Sequence, residues 1–152
     1  MKRQKRIVGL IFKISLSDNS HSYGIYLGKA SVAIFKIKTE NNLSTSDILK
    51  EDVLFIVAVY DSAITSGRWE KVKTVPLDDR FKTLPLAFIQ DSFDLESFEI
   101  YNPNTGEIIK SSRKDCLGLE RAAVWEARHV EDRIRDYFSG KENVWTKQLQ
   151  VK

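Results

Sequence analysis

Residues 53–60 read Val-Leu-Phe-Ile-Val-Ala-Val-Tyr, the longest apolar run in the chain. A bilayer-spanning helix needs about 18 such residues, so eight cannot cross. The run is rich in β-branched residues and apolar on both faces, which predicts a central strand inside a sheet rather than a helix. The remainder of the chain must therefore supply strands to pair with it.

Those strands are readable before and after it. Phe12, Ile14 and Leu16 alternate with Lys13 and Ser15, a half-buried strand. Ser17 to Ser20 is turn chemistry, and residues 23–27 return as a second strand. A third is expected over 32–38, and Ser46 with Asp47 opens a helical turn through Lys50. Residues 61–67 suggest another short helical turn closed by Gly67, before a strand from Trp69 to Val75 that Pro76 ends. Strands over 86–90 and 98–101 follow, and Asn102 to Gly106 turns the chain back through 107–109 as a hairpin. Ser112 and Asp115 form a capping-box pattern for a short helix stopped by Gly118.

The last helix is the clearest element. From residue 127 to 139, Val130, Ile134, Tyr137 and Phe138 form one apolar stripe, and Gly140 stands at the C-cap. Glu131 is expected to pair with Arg135, and Arg128 with Asp132, along its exposed side. These elements predict an α+β fold: a single domain with a mostly antiparallel twisted sheet that could curl toward a barrel, short helices and a C-terminal amphipathic helix. Residues 1–7 read as a basic tail and 8–152 as the domain.

At 152 residues one core can form without metals or disulfides. The lone Cys116 makes no internal disulfide, which fits a reducing cytoplasm. The opening Met-Lys-Arg-Gln-Lys-Arg resembles a signal n-region, but Lys13 interrupts the apolar residues after it, so cytoplasmic residence without a membrane partner is expected.

The net charge of +3 conceals an asymmetry. Residues 1–40 carry a balance of +6, residues 41–110 of −5, and the remainder of +2. The basic first segment, with Lys2, Arg3, Lys5, Arg6, Lys13, Lys36 and Lys38, could attract nucleic acid, the alternative reading of this chain as a β-rich nucleic-acid-binding domain. Part of that charge is spread along alternating strand positions, so nucleic acid is the weaker expectation. The acidic middle could instead face a basic protein.

Catalytic constellations are thin. Cys116 and His129 would form a nucleophile and base only if folding joined them; a half-buried thiol and a surface imidazole are the plainer reading. His21 falls in a polar turn, and no His/Cys spacing suits zinc, so no metal, cofactor or catalytic residue is expected. Asp78, Asp79, Asp91, Asp94 and Glu96 lie in turn-like segments, where acids are usually solvated. Of Trp69, Trp125 and Trp145, one is expected to face a partner, and Trp69 joins the five acids in the candidate partner-binding set. Glu120 and Arg121, between Leu119 and Ala122, are expected to contribute to an ion pair on a packed segment.

Taken in order, four blocks resemble the immunity protein 26 family, proposed antidotes of bacterial polymorphic toxins. They are residues 9–14 with Tyr23-Gly24; residues 57–61 with Ser66-Gly67-Arg68-Trp69; residues 88–91; and residues 118–125 with 129–133. Leu10, Ser15 and Ala127 depart from the pattern, where an acid and two prolines would be expected. The resemblance spans about residues 8 to 149. It implies a protein without chemistry of its own, whose partner is the C-terminal domain of a cognate toxin. Gly24, Tyr60, Asp61, Gly67, Arg68, Gln90, Glu120, Arg121, Trp125, Asp132 and Arg133 are its signature positions, expected to be structural. Because many such toxins carry basic clefts for nucleic acid, the acidic run could oppose one as a phosphate mimic.

Overall fold

A computed structural model describes residues 2–152. Ten strands form two open, mixed sheets, joined by five short helices. The first sheet contains β1 (Leu10–Ser15), β2 (His21–Gly28), β3 (Ser31–Phe35), β4 (Val53–Val59), β5 (Glu70–Thr74) and β10 (Val124–Trp125), in the order β10-β4-β3-β2-β1-β5. The second holds β6 (Ala87–Gln90), β7 (Phe98–Tyr101), β8 (Ile108–Ser111) and β9 (Glu120–Arg121), in the order β8-β7-β6-β9. Each sheet ends in unpaired edges, so neither closes into a barrel. The apolar run of residues 53–60 lies between β3 and the two-residue β10, one place in from an edge.

The first sheet is covered on both sides, as its alternation requires. Leu10, Phe12, Ile14, Val32, Ile34, Val57 and Val59 face one core. That core is capped by α2 (Ser62–Thr65) through Ile64 and by α4 (Ala127–Phe138) through Val130 and Ile134, with α5 (Val144–Leu149) packed behind. Ile11, Ile25, Ala33 and Phe35 face the other way, against Ile48 of α1 (Thr45–Lys50) and Phe81 of a 3-10 turn at Asp79–Phe81. A third core, Phe88, Phe98 and Cys116, lies between the second sheet and α3 (Arg113–Cys116).

Local signals set the helix ends. Ser44, Ser112 and Asn143 each accept a backbone N–H at the start of α1, α3 and α5. The third expected strand stops at Phe35, because the chain bends where the Lys36 amide donates to the Asp52 carbonyl. Gly24 pairs with Phe12 across the β1–β2 ladder, and a Cβ there would sit 2.6 Å from the Phe12 ring. The hairpin between β2 and β3 turns on Lys29 and Ala30, both left-handed (φ 50° and 63°). Non-glycine residues hold that conformation only where the surroundings impose it. Here the Lys29 ammonium donates to the carbonyls of Pro103 and Asn104, tying the first sheet's hairpin to the second sheet's turn.

His21, expected in a solvated turn, begins β2 and is 5 % exposed. Its Nε2 donates to the Asn41 carbonyl at 2.9 Å and lies 3.0 Å from the Tyr23 hydroxyl. Burial, reinforced by the positive charge of Lys13, pushes the imidazole pKa below its ordinary value. The unfolded chain therefore binds the proton more readily than the folded one. Stability from this site is complete above about pH 6.5 and falls as pH drops through the lower folded value. The urea midpoint is expected to decline below that pH, and to decline less in His21→Gln. Equal slopes for the two proteins would show that His21 carries no such linkage.

Candidate partner-binding surface

Segment 118–125, the centre of the last resemblance block, joins the two sheets. Ala87 and Phe88 of β6 pair in parallel with Glu120 and Arg121, and Ala58 and Val59 of β4 pair in parallel with Val124 and Trp125. Two short strands thus become edge strands of different sheets, three residues apart. Glu120 makes its ion pair with Arg133 of α4, through two contacts of 2.9 Å, and not with its neighbour Arg121. The Arg133 guanidinium lies 3.9 Å from the Phe55 ring centre and 5.2 Å from that of Trp125, so it joins α4, the seam and the sheet. Arg121 stacks over Phe88 and donates to Gln90 and to the Leu149 and Gln150 carbonyls, while Gln90 also binds both ends of Lys152's backbone.

The second signature block closes on α4. Trp69 is fully buried, stacks on Phe12 at 5.0 Å and donates its indole N–H to Glu131 at 3.0 Å. Arg68 grips the same carboxylate with two bonds of 2.8 and 2.7 Å. This corrects two expectations. Trp69 has no surface to offer a partner, because its indole completes the core between β1 and α4. Glu131 turns inward instead of pairing with Arg135, because a carboxylate that loses water must replace those hydrogen bonds. Arg135 takes Asp132 at 2.6 Å, and Arg128 takes Glu126 at 3.6 Å. Burial works against the Asp132 charge, but hydrogen bonds from Trp145 and Arg135 outweigh it and hold its carboxyl below the ordinary range. Gly67 (φ 84°) admits no side chain, since a Cβ would approach the Lys2 carbonyl oxygen to 2.2 Å. Tyr60 is half exposed, and Asp61 pairs with Arg6 at 2.8 Å.

An open groove of about 350 Å³ lies along the seam, walled by Ala30, Ala58, Leu86, Tyr101, Ala122 and Val124. Its rim charges are Lys29, Glu120 and Arg121, each already held by the chain's own groups as described above. No acid–base pair converges there. Cys116 lies in the third core with its thiol pKa pushed up by burial, while His129 stacks on Trp145 at 3.6 Å in α4. They belong to different clusters. Among the described residues no group of three or more His, Cys, Asp or Glu is arranged to hold a metal ion, and no helix is long and apolar enough to cross a membrane.

The charged candidates divide by place. Asp78 caps the 3-10 turn and pairs with Arg80, and Asp79 pairs with Lys82 beside the second core. Asp91, Asp94 and Glu96 occupy the loop at the other end of β6, and Glu96 pairs with Arg113 at 2.6 Å. The five acids therefore form two groups separated by β6. Of the basic candidates, Arg6 binds Asp61, Lys13 binds Asn42, Lys36 lies over Tyr137 and Lys38 pairs with Asp18, so most of the stripe is engaged within the chain. Gln4, inside the basic opening, donates to the carbonyls of Ile64 and Trp69. Phe93, which no sequence motif singles out, stands out fully between Asp91 and Asp94. An isolated phenylalanine inside Asp-Ser-Phe-Asp, without alternation around it, was the available signal.

The model of a family described as Immunity protein 26 matches residues 7–99, which takes in β1 to β6, the loop after β6 and the start of β7. No curated protein and no solved structure matches the chain.

Proposed function

The chain belongs to the immunity protein 26 family, and from that membership we propose that it neutralises a cognate toxin by binding it, without chemistry of its own. The observation that carries this reading is the family match over residues 7–99. The geometry is consistent with it: the polar groups with the most elaborate networks hold sheets and helices together, and the charges at the seam groove are engaged. A binding protein needs complementary surface, commonly about 1,600 Å² in total, and a steering field. The partner is the toxin's C-terminal domain, met in the cytoplasm. Asp78 and Asp79 before β6, and Asp91, Asp94 and Glu96 after it, supply negative charge toward a basic partner surface.

Co-expression with the C-terminal domain of the toxin-like protein encoded beside this chain tests the reading. A one-to-one complex together with restored growth is the expected result; neither complex nor rescue would overturn it. Steering is tested with Asp79→Lys and Glu96→Lys, whose side chains are 96 % and 75 % exposed. The double variant is expected to associate about 10-fold more slowly at low salt and with a flatter salt dependence. An unchanged rate and salt slope would remove these carboxylates from the interface.

A further inference from the structure

We propose that Phe93 is the apolar anchor of the interface, seated in a socket on the toxin domain whose rim carries lysine or arginine; this rests on the binding reading above. The chain has eight phenylalanines. Phe12, Phe35, Phe55, Phe81, Phe88 and Phe98 are buried and Phe138 packs against the first core, whereas Phe93 is 99 % exposed. A single exposed apolar side chain is ordinary on a protein surface. What distinguishes this one is how firmly the loop presents it.

The Asp91 carboxylate accepts the amides of Phe93 and Asp94 at 2.7 and 2.9 Å, and those bonds hold its pKa below the ordinary range. The Asp91 and Ser97 backbones close the loop through bonds of 3.0 Å to Ser97 and Asp94. Gln90 and Arg113 both donate to the Leu95 carbonyl, and the Arg113 guanidinium lies over Phe98 in the third core. The backbone beneath Phe93 is thus already ordered, so docking forfeits little conformational freedom. Leu95, 46 % exposed, extends the apolar area.

Charge defines the partner. Residues 91–97 carry three carboxylates and no cation, and Arg113 answers only Glu96. Asp91 and Asp94, which flank Phe93 in the loop and have no cation partner among the described residues, would repel an acidic rim and attract a basic one. Phenylalanine is among the aromatic residues enriched in interfaces, and an anchor of this kind fills a desolvated pocket near the interface centre.

The experiment measures the affinity of the wild-type chain, Phe93→Ala and Phe93→Leu for the toxin domain encoded beside it, with melting temperature and sedimentation of each chain alone. The side chain is solvent-exposed, so neither variant should melt differently. Phe93→Ala is expected to weaken binding by about 30-fold or more, mainly through faster dissociation, with Phe93→Leu intermediate. If the wild type binds and Phe93→Ala binds equally well, the anchor is wrong while the toxin-binding reading stands. If the wild type does not bind, both fail. Self-association of the wild type that Phe93→Ala abolishes would assign the ring to a second copy and overturn the basic-rimmed partner.

Discussion

Trp69→Ala is expected to lower the unfolding free energy by about 3–5 kcal/mol, the range for removing a large buried aromatic side chain. For a chain of 152 residues that corresponds to a fall in melting temperature of roughly 6–20 °C. The indole fills the space between β1 and α4, stacks on Phe12 with an interplanar angle of 12° and satisfies a buried carboxylate. Its backbone is equally committed: the amide donates to Ala63 and the carbonyl accepts from Gln4. Trp69→Phe should retain most of the packing and lose about 1.5–3 kcal/mol for the missing N–H bond to a carboxylate, plus a contribution from the smaller ring. Urea unfolding followed by far-UV circular dichroism reads both variants. A Trp69→Ala protein with the wild-type midpoint and a lost partner would return this residue to the surface, against its burial.

Glu131→Ala is expected to cost about 2–4 kcal/mol, less than the full range for breaking a buried pair because Arg68 is half exposed and can be rehydrated. The Trp69 indole cannot, and its orphaned N–H accounts for much of the loss. Arg68→Ala should cost at least as much as Glu131→Ala, since it leaves the buried Glu131 carboxylate without its cation and with the indole N–H in place of three donors. Glu131→Gln, which keeps an acceptor for the indole and buries no charge, should cost the least of the three. The unfolding midpoints of the three variants check the order; a loss from Arg68→Ala clearly smaller than that from Glu131→Ala would mean that the indole bond, and not the ion pair, dominates. Because the three side chains share one network, their double variants should be non-additive.

The contrast between these residues and the expected charge pairs of α4 explains what a linear reading can see. Glu131 and Arg135 stand four apart, and on an isolated helix they would pair. In the folded chain Arg68, sixty-three positions away, offers two donors and Trp69 a third. Three hydrogen bonds to a nearly buried carboxylate outweigh one exposed pair worth about 0.2–0.5 kcal/mol. Phe93 fails the linear reading for a related reason: whether an apolar residue in a turn folds inward depends on what closes the loop, here Gln90, Ser97 and Arg113.

By itself the sequence determined the elements whose signals are local. Alternation marked β1 and an unbroken apolar run marked β4, the Ser112 cap with Gly118 and Gly140 marked ends of α3 and α4, and the block order pointed to the family, whereas α1 is capped by Ser44 and not opened by Ser46. Only the tertiary structure decided that the sheet is two open sheets and not one curling toward a barrel. It also decided that residues 120–125 stitch them through parallel pairs, that Lys29 and Ala30 turn without glycine, and that Trp69 lies inside while Phe93 lies outside. The reason is physical. Period and capping are fixed by residues within a turn or two of each other, whereas burial and parallel pairing depend on groups tens of positions away, whose approach no local pattern encodes.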